Sequence, residues 1–396
     1  MSLGPRGPDD SDTPERQDNM NRTGPLAHIK VVEMAGLGPG PLAGQLLADL
    51  GAEVIVIDRA SGRADPSDIN RRNKVSVALN LKSAAGRDAA LALIAGADAL
   101  IEGFRPGVME KLGLGPDVCL DRNPGLVFGR ITGWGQTGPL AQTAGHDINY
   151  LSLTGALAAI GPAGGPPVPP LNLAADYGGG TMFLIFGLLA ALLERQVSGR
   201  GQVVDAAMVD GVPAMMSVFH MFRHQGLWDL ERERNMLDGG APFYRCYETA
   251  DGKAVSVGPI EPQFFAELCE KAGLEHVPPR EQMNKDNWPR LSAAYAEVFR
   301  TKTRDEWVAV FEGGDACLAP VLTLDEAEAD PHMRARGVLV RQDGIMQAAP
   351  APRFDRTPAG ALRSPRAPGG DADAILGAAG FSAEAIAAMR ADGTLT

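Results

Sequence analysis

The stretch that most restricts the fold is residues 28–58. His28-Ile-Lys-Val-Val-Glu-Met-Ala35 is an apolar run of strand length. Gly36-Leu-Gly-Pro-Gly-Pro41 turns the chain, Leu42–Leu50 continues as a helix and Gly51 caps it. Ala52-Glu-Val-Ile-Val-Ile-Asp58 then returns as a second strand ending in an acid. This is a βαβ unit, in which the helix crosses over to a parallel neighbour. The alternation continues with a strand at Val75–Leu79, a helix at Ala84–Ala95 and a strand at Ala97–Glu102. A short helix at Val108–Leu112 and a strand at Gly125–Thr132 follow. Strands alternating with helices predict an α/β fold, here a Rossmann-like large domain with a largely parallel sheet.

The βαβ unit resembles a dinucleotide site only in part. Gly36 and Gly38 have the right spacing, but Pro41 occupies the third glycine position. Pro39 and Pro41 also lack the N–H groups that a pyrophosphate needs. The expectation is a scaffold without a nicotinamide cofactor. Arg59, Arg71, Arg72, Lys74, Lys82, Arg105 and Lys111 cluster near strand ends, although the chain carries a net charge of −12. Singly, each reads as a solvated surface charge. Together they suit phosphate groups at the carboxyl edge of the sheet. An acidic chain is a poor general nucleic-acid binder.

The remaining punctuation divides the chain. Residues 1–24 are polar and rich in Pro and Asp and read as a disordered tail without a signal sequence. Residues 25–210 form the large domain, completed by 335–396, with a linker at 211–240. A smaller α+β domain is expected over 241–334. There Phe243–Glu248 and Lys253–Val257 flank an Asp251-Gly252 hairpin turn. Helices are expected from Pro262, over Trp288–Arg300 and over Arg304–Gly313; Pro213–Gln225 is also helical. The most apolar run, Thr181–Leu193, has 13 residues, short for a bilayer crossing and suited to a buried helix. The four cysteines are scattered without a CxxC pair, which argues against structural metal and disulfides and fits a cytoplasmic protein.

Two segments carry groups able to move protons. Thr143-Ala-Gly-His-Asp-Ile-Asn-Tyr150 offers an imidazole, and Asp176-Tyr-Gly-Gly-Gly180, beginning 30 residues after His146, offers a carboxylate. Alone, His146 reads as a hydrogen-bonded structural histidine, and Asp176 as the N-cap of the helix behind it. Glu261 alone reads as an acid favoured by a helix dipole. Met208, Met215, Met216 and Met221 at helical spacing usually mean core.

Motifs in order along residues 25–360 change those readings. They include Val31-Val-Glu-Met-Ala-Gly36, Asp49-Leu-Gly-Ala-Glu-Val54, Glu102-Gly-Phe-Arg-Pro-Gly107 and Thr132-Gly-Trp-Gly-Gln-Thr-Gly-Pro139. Ala144-Gly-His-Asp-Ile-Asn-Tyr150, Asp176, Gly199-x-Gly-Gln-Val-Val-Asp205 and Pro259-Ile-Glu-Pro-Gln263 complete the set. In these the chain resembles the α-methylacyl-CoA racemases of the family III CoA-transferase superfamily. The resemblance implies an interlocked homodimer acting on 2-methylacyl-CoA, with no membrane or nucleic-acid partner. CoA is part of the substrate, and no other cofactor or metal is implied.

His146 and Asp176 would be the two acid/base groups, with Glu261 pairing with the histidine. The backbone N–H of Asp147 would meet the enolate oxygen. CoA would lie against Arg59, Leu79, Asn80, Leu81, Lys82, Gly103, Phe104, Arg105, Lys111, Gly145, Ile148, Asn149 and Tyr150. Lys111 stands where the resemblance leads to an arginine, which removes a bidentate phosphate contact. Met208, Met215 and Met216 would carry the acyl chain. The alternatives are a CoA-transferase using Asp176 as nucleophile through an anhydride, and a non-catalytic acyl-CoA-binding protein.

Overall fold

The structure, a computed structural model, describes residues 22–59 and 65–396. Most of the tail expected over residues 1–24 lies outside the described residues. The chain forms two compact units. The first comprises the chain up to Tyr150, Leu173–Val212 and Val338–Thr396, and the second Leu151–Asn172 and Pro213–Gly337.

The first unit is built on six strands: β1 (Lys30–Met34), β2 (Glu53–Asp58), β3 (Val75–Ala78), β4 (Ala99–Glu102), β5 (Val127–Thr132) and β6 (Val203–Ala207). Their order is β3-β2-β1-β4-β5-β6, and every pairing is parallel. That is the doubly wound order expected of a Rossmann-like sheet. One face packs Val32, Ile55, Val77, Leu100 and Phe128 against Ala89, Leu93 and Ile94 of helix Ala84–Ala95. Helices Ala372–Ala378 and Ala383–Ala391 add Leu376 and Met389 to that core. Asp371 donates its N–H to Ser76 O at 3.0 Å, and Asn80 donates to Thr394 O at 2.8 Å. These bonds seat the C-terminal segment on β3.

Helices Pro39–Asp49 and Phe183–Ser198 contact β1 and β5 on the other face. The helix, expected with Pro41 in its first turn, begins at Pro39, since proline at the first helical positions loses no intrahelical bond.

Two expectations about the Asp176 region need correction. Asp176 is not an N-cap. It lies inside a π-helical segment, Leu173–Met182, that runs on into Phe183–Ser198. The glycines after it are close-packing positions rather than a flexible turn. A β-carbon on Gly179 would stand 2.7 Å from Val212 Cγ2 and 3.0 Å from Val212 N. The continuous helix Leu173–Ser198 therefore has 26 residues, long and apolar enough by length and composition to cross a membrane. It lies against the sheet, with Leu184 and Leu188 buried.

In the second unit β7 (Arg245–Glu248), β8 (Ala254–Val257) and β9 (Leu318–Pro320) form an antiparallel sheet. The Asp251-Gly252 turn closes the first hairpin as its sequence dictates, with Gly252 at φ 70°. Helices Pro262–Ala272, Trp288–Phe299 and Arg304–Phe311 cover it, burying Phe265, Trp288, Tyr295, Phe299 and Trp307. The helix expected over Pro213–Gln225 is two, Met208–Met215 and Ser217–His224, broken at Met216.

Candidate functional site

In an open parallel sheet, ligands meet the carboxyl ends of the strands where the strand order reverses. Here that point lies between β1 and β4. β1 delivers Gly36–Gly38, β4 delivers Gly103–Arg105, and β5 leads through Gly133 to His146. β2 and β3 deliver Arg59 and Leu79–Lys82 at the same edge.

His146 directly precedes helix Asp147–Leu153 and is exposed. Its carbonyl accepts from the N–H groups of Asn149 (2.8 Å) and Tyr150 (3.2 Å). Its own N–H donates to Asn149 Oδ1 at 3.1 Å. The backbone bearing the imidazole is thus fixed from both sides while the ring faces solvent. The N–H of Asp147 donates to no acceptor among the described residues, as expected of a first-turn donor.

The Asp147 side chain turns inward, 7% exposed. Its Oδ2 accepts from the N–H of Ala175 at 3.0 Å and of Asp176 at 2.8 Å. This carboxylate ties the segment bearing His146 to the one bearing Asp176. Asp176 in turn borders the first βα turn, with its Oδ2 3.7 Å from where a β-carbon on Gly38 would stand. Thr181 Oγ1 donates to Pro39 O at 2.9 Å and braces the two segments.

Tyr150 supports the His146 loop. Its hydroxyl donates to Gly145 O, and its ring meets Trp134 edge-on at 4.8 Å. Burial first, then the Asp176 carboxylate, push the phenol's pKa up, while the Arg105 charge pulls it back. Tyr150, Asp176 and Arg105 therefore share one electrostatic neighbourhood.

The basic cluster separates into two kinds. Arg71 pairs bidentately with Asp58, at 3.1 and 2.6 Å. Arg72 grips Asp49 and also donates to Gln347 Oε1 at 2.6 Å. Lys74 pairs with buried Glu33 at 2.6 Å and donates to Pro41 O. These three cations serve the fold, which corrects the suggestion that they hold phosphates. Asp58, the acid that would meet a ribose, is engaged by Arg71 and Ser76. Arg59, Lys82, Arg105 and Lys111 are exposed and make no ion pair among the described residues. They are the four cations to which the resemblance assigned CoA.

The neighbours of these cations are mostly structural. Leu79 is buried and Leu81 and Phe104 pack on the core, so they offer backbone rather than side chains. Asn80 Oδ1 accepts from Lys82 N at 3.1 Å. Buried Glu102 accepts from Phe104 N at 2.8 Å and from Arg130 at 2.7 Å, which fixes the Gly103–Arg105 loop. Burial pushes the Glu102 pKa up despite that arginine. Ile148 and Asn149 are exposed beside His146. Met208 is buried and packs beneath Gly180, 3.1 Å from the β-carbon position.

In the second unit Glu261 precedes helix Pro262–Ala272, exposed and without a side-chain cap bond. Met215 is exposed and Met216 half-buried. A cavity of about 770 Å³ is lined by Tyr244, Arg245, Cys246, Gly258 and Cys317, among others. The Glu261 charge reaches Cys317, contributing after burial to a raised thiol pKa. Sequence reasoning missed this cavity, because its walls come from residues scattered between Gly161 and Cys317. The signal the sequence carried was the turn-forming residues among its walls, Gly161, Pro162, Gly239 and Gly258.

Comparison with known proteins places the chain in a family. The chain is 45% identical to the α-methylacyl-CoA racemase of Mus musculus over 370 residues, covering 93% of this chain and 96% of that protein. It is 43% identical to the α-methylacyl-CoA racemase of Homo sapiens over the same coverage. A CAIB/BAIF family protein from Brucella suis, 24% identical, superposes with a TM-score of 0.77 over 90% of this chain and all of that one. The family model described as CoA-transferase family III matches residues 26–373, and the chain belongs to that family.

Proposed function

We propose that this protein interconverts (R)- and (S)-2-methylacyl-CoA thioesters. The observation that carries the reading is the Asp147 carboxylate, which ties the backbone of Asp176 to the residue next to His146. A racemase needs a base on each face of one carbon. The thioester acidifies that α-carbon, so no further cofactor is required. His146 or Asp176 removes the α-proton, leaving an enolate, and the other returns a proton to the opposite face. The Asp147 N–H, which donates to no acceptor among the described residues, meets the enolate oxygen. Glu261 is the third group proposed for the chemistry. Arg59, Lys82, Arg105 and Lys111 hold the CoA phosphates, and Met208, Met215 and Met216 carry the acyl chain.

The working form in this reading is an interlocked homodimer in the cytoplasm. An exposed apolar stripe on helix Phe183–Ser198 supports association: Phe186 (72% exposed), Leu193 (65%) and Val197 (91%) lie on it.

The test is α-proton exchange and inversion of a 2-methylacyl-CoA in D₂O. The wild-type protein should incorporate deuterium and racemise. His146→Ala and Asp176→Ala should each lose about 10²-fold or more in racemisation. No exchange by the wild type sinks the proposal. The family's transferase chemistry remains the competing reading. There Asp176 attacks the thioester, and hydroxylamine added with acyl-CoA inactivates the enzyme through its anhydride. A racemase is untouched by that treatment.

A further inference from the structure

We propose that Asp147 is a positioning residue whose side chain sets the distance between the two proton-transfer groups. The inference rests on the racemase reading above. A two-base reaction on one carbon tolerates little error in the spacing of the bases, because both must reach the same atom from opposite sides. His146 and Asp176 sit on different segments of one unit. His146 is placed locally, through Asn149 and the first turn of its helix. Asp176 is held on its N-terminal side from another segment. The first N–H groups of a helix lack intrahelical acceptors. Here those of Ala175 and Asp176 are taken by Asp147 Oδ2, at 3.0 and 2.8 Å. Asp147 therefore acts as a remote N-cap for the segment carrying the second base.

The same residue is adjacent to the first base in the chain, so any shift of its side chain changes the gap between the two. Its Oδ1 is buried and has no hydrogen-bond partner. A buried carboxylate left half-unsatisfied is costly, and core packing alone would be better served by an apolar residue. The two N–H groups need an acceptor rather than a charge. An amide oxygen meets that need, which separates positioning from electrostatics.

The experiment compares wild type, Asp147→Ala and Asp147→Asn. Racemisation and α-deuterium incorporation with retention are measured in D₂O, each starting from a single enantiomer. Folding is followed by thermal denaturation. Asp147→Ala should lose about 10²-fold in racemisation, the cost of misplacing a group by about 1 Å. Exchange with retention at the face served by His146 should fall much less, because His146 keeps its own anchors. The exchange-to-racemisation ratio should then rise at least about ten-fold. Asp147→Asn should recover most of the racemisation. Three outcomes overturn the proposal: unimpaired racemisation in Asp147→Ala, parallel loss of exchange and racemisation in a folded protein, or no recovery in Asp147→Asn. A wild type that neither exchanges nor racemises instead fails the racemase reading itself.

Discussion

Arg72 and Arg105 carry the same charge near the same sheet edge, yet their environments give them opposite work. Arg72 is buried with Asp49, and its guanidinium also reaches Gln347. Removing it leaves Asp49 buried with only Asn73 and Gln45 for side-chain partners among the described residues. Arg72→Ala should cost about 3–5 kcal/mol of stability in denaturant unfolding. Arg105 is exposed and makes no ion pair among the described residues. Arg105→Ala should leave the melting temperature in place and raise KM for acyl-CoA by about ten-fold, with kcat little changed, because a phosphate contact binds substrate and transition state alike. A fall in kcat with unchanged KM would place Arg105 in the chemistry instead. Sequence spacing cannot separate the two arginines. The partners of Arg72 lie 23 and 275 residues away, and only folding brings them together.

At the scale of elements, what was legible was local. The hairpin at Asp251-Gly252 and the helix Ala84–Ala95, with Ser83 accepting from Gly86 N, follow from residues within a few positions of each other. The π-helical segment Leu173–Met182 was not legible, because a Gly-Gly-Gly run reads as a breaker unless its packing is known. Its glycines are explained by Val212, Met208 and Ile131, which press against Gly179 and Gly180. π-helical turns recur at functional sites, and this one carries Asp176. Gly179→Ala should therefore do two things. The added carbon meets Val212 Cγ2 and N and costs about 1–3 kcal/mol by overpacking. The displaced segment carries Asp176 with it, so racemisation should fall at temperatures where circular dichroism finds the variant still folded. A variant that loses stability but keeps full activity would mean that Asp176 does not depend on this packing.

At the scale of the whole molecule, the alternation that opens the chain dictated the six-stranded sheet, and the same alternation could not show how its charges divide between the two units. In the first unit, burial raises the pKa of Glu33 beside Lys74 and of Glu102 beside Arg130. In the second, the Arg304 hydrogen bond holds Glu326 below the usual carboxylate range. The Arg290 hydrogen bond lowers Glu275, and the Lys271 hydrogen bond lowers Glu267. The first unit also holds lowered carboxylates, Glu110 and Glu384, but the raised ones, Glu33 and Glu102, are in the first unit alone among the described residues. A carboxylate depressed on folding contributes stability above its unfolded pKa, about 4.3 for Glu, and loses it as pH falls through the folded value. A carboxylate raised on folding contributes most below the unfolded pKa and loses it as pH rises through the folded value. Acid should therefore weaken the second unit first, over the pH range below about 4.5. Hydrogen exchange corrected for intrinsic rate should show helices Trp288–Phe299 and Arg304–Phe311 losing protection before β1, β4 and β5. Glu326→Gln should melt earlier than wild type at neutral pH. The two melting curves should converge in acid, once Glu326 in the wild type is itself protonated. Equal loss of protection in both units, or a Glu326→Gln deficit that persists in acid, would remove the Arg304–Glu326 pair as the cause.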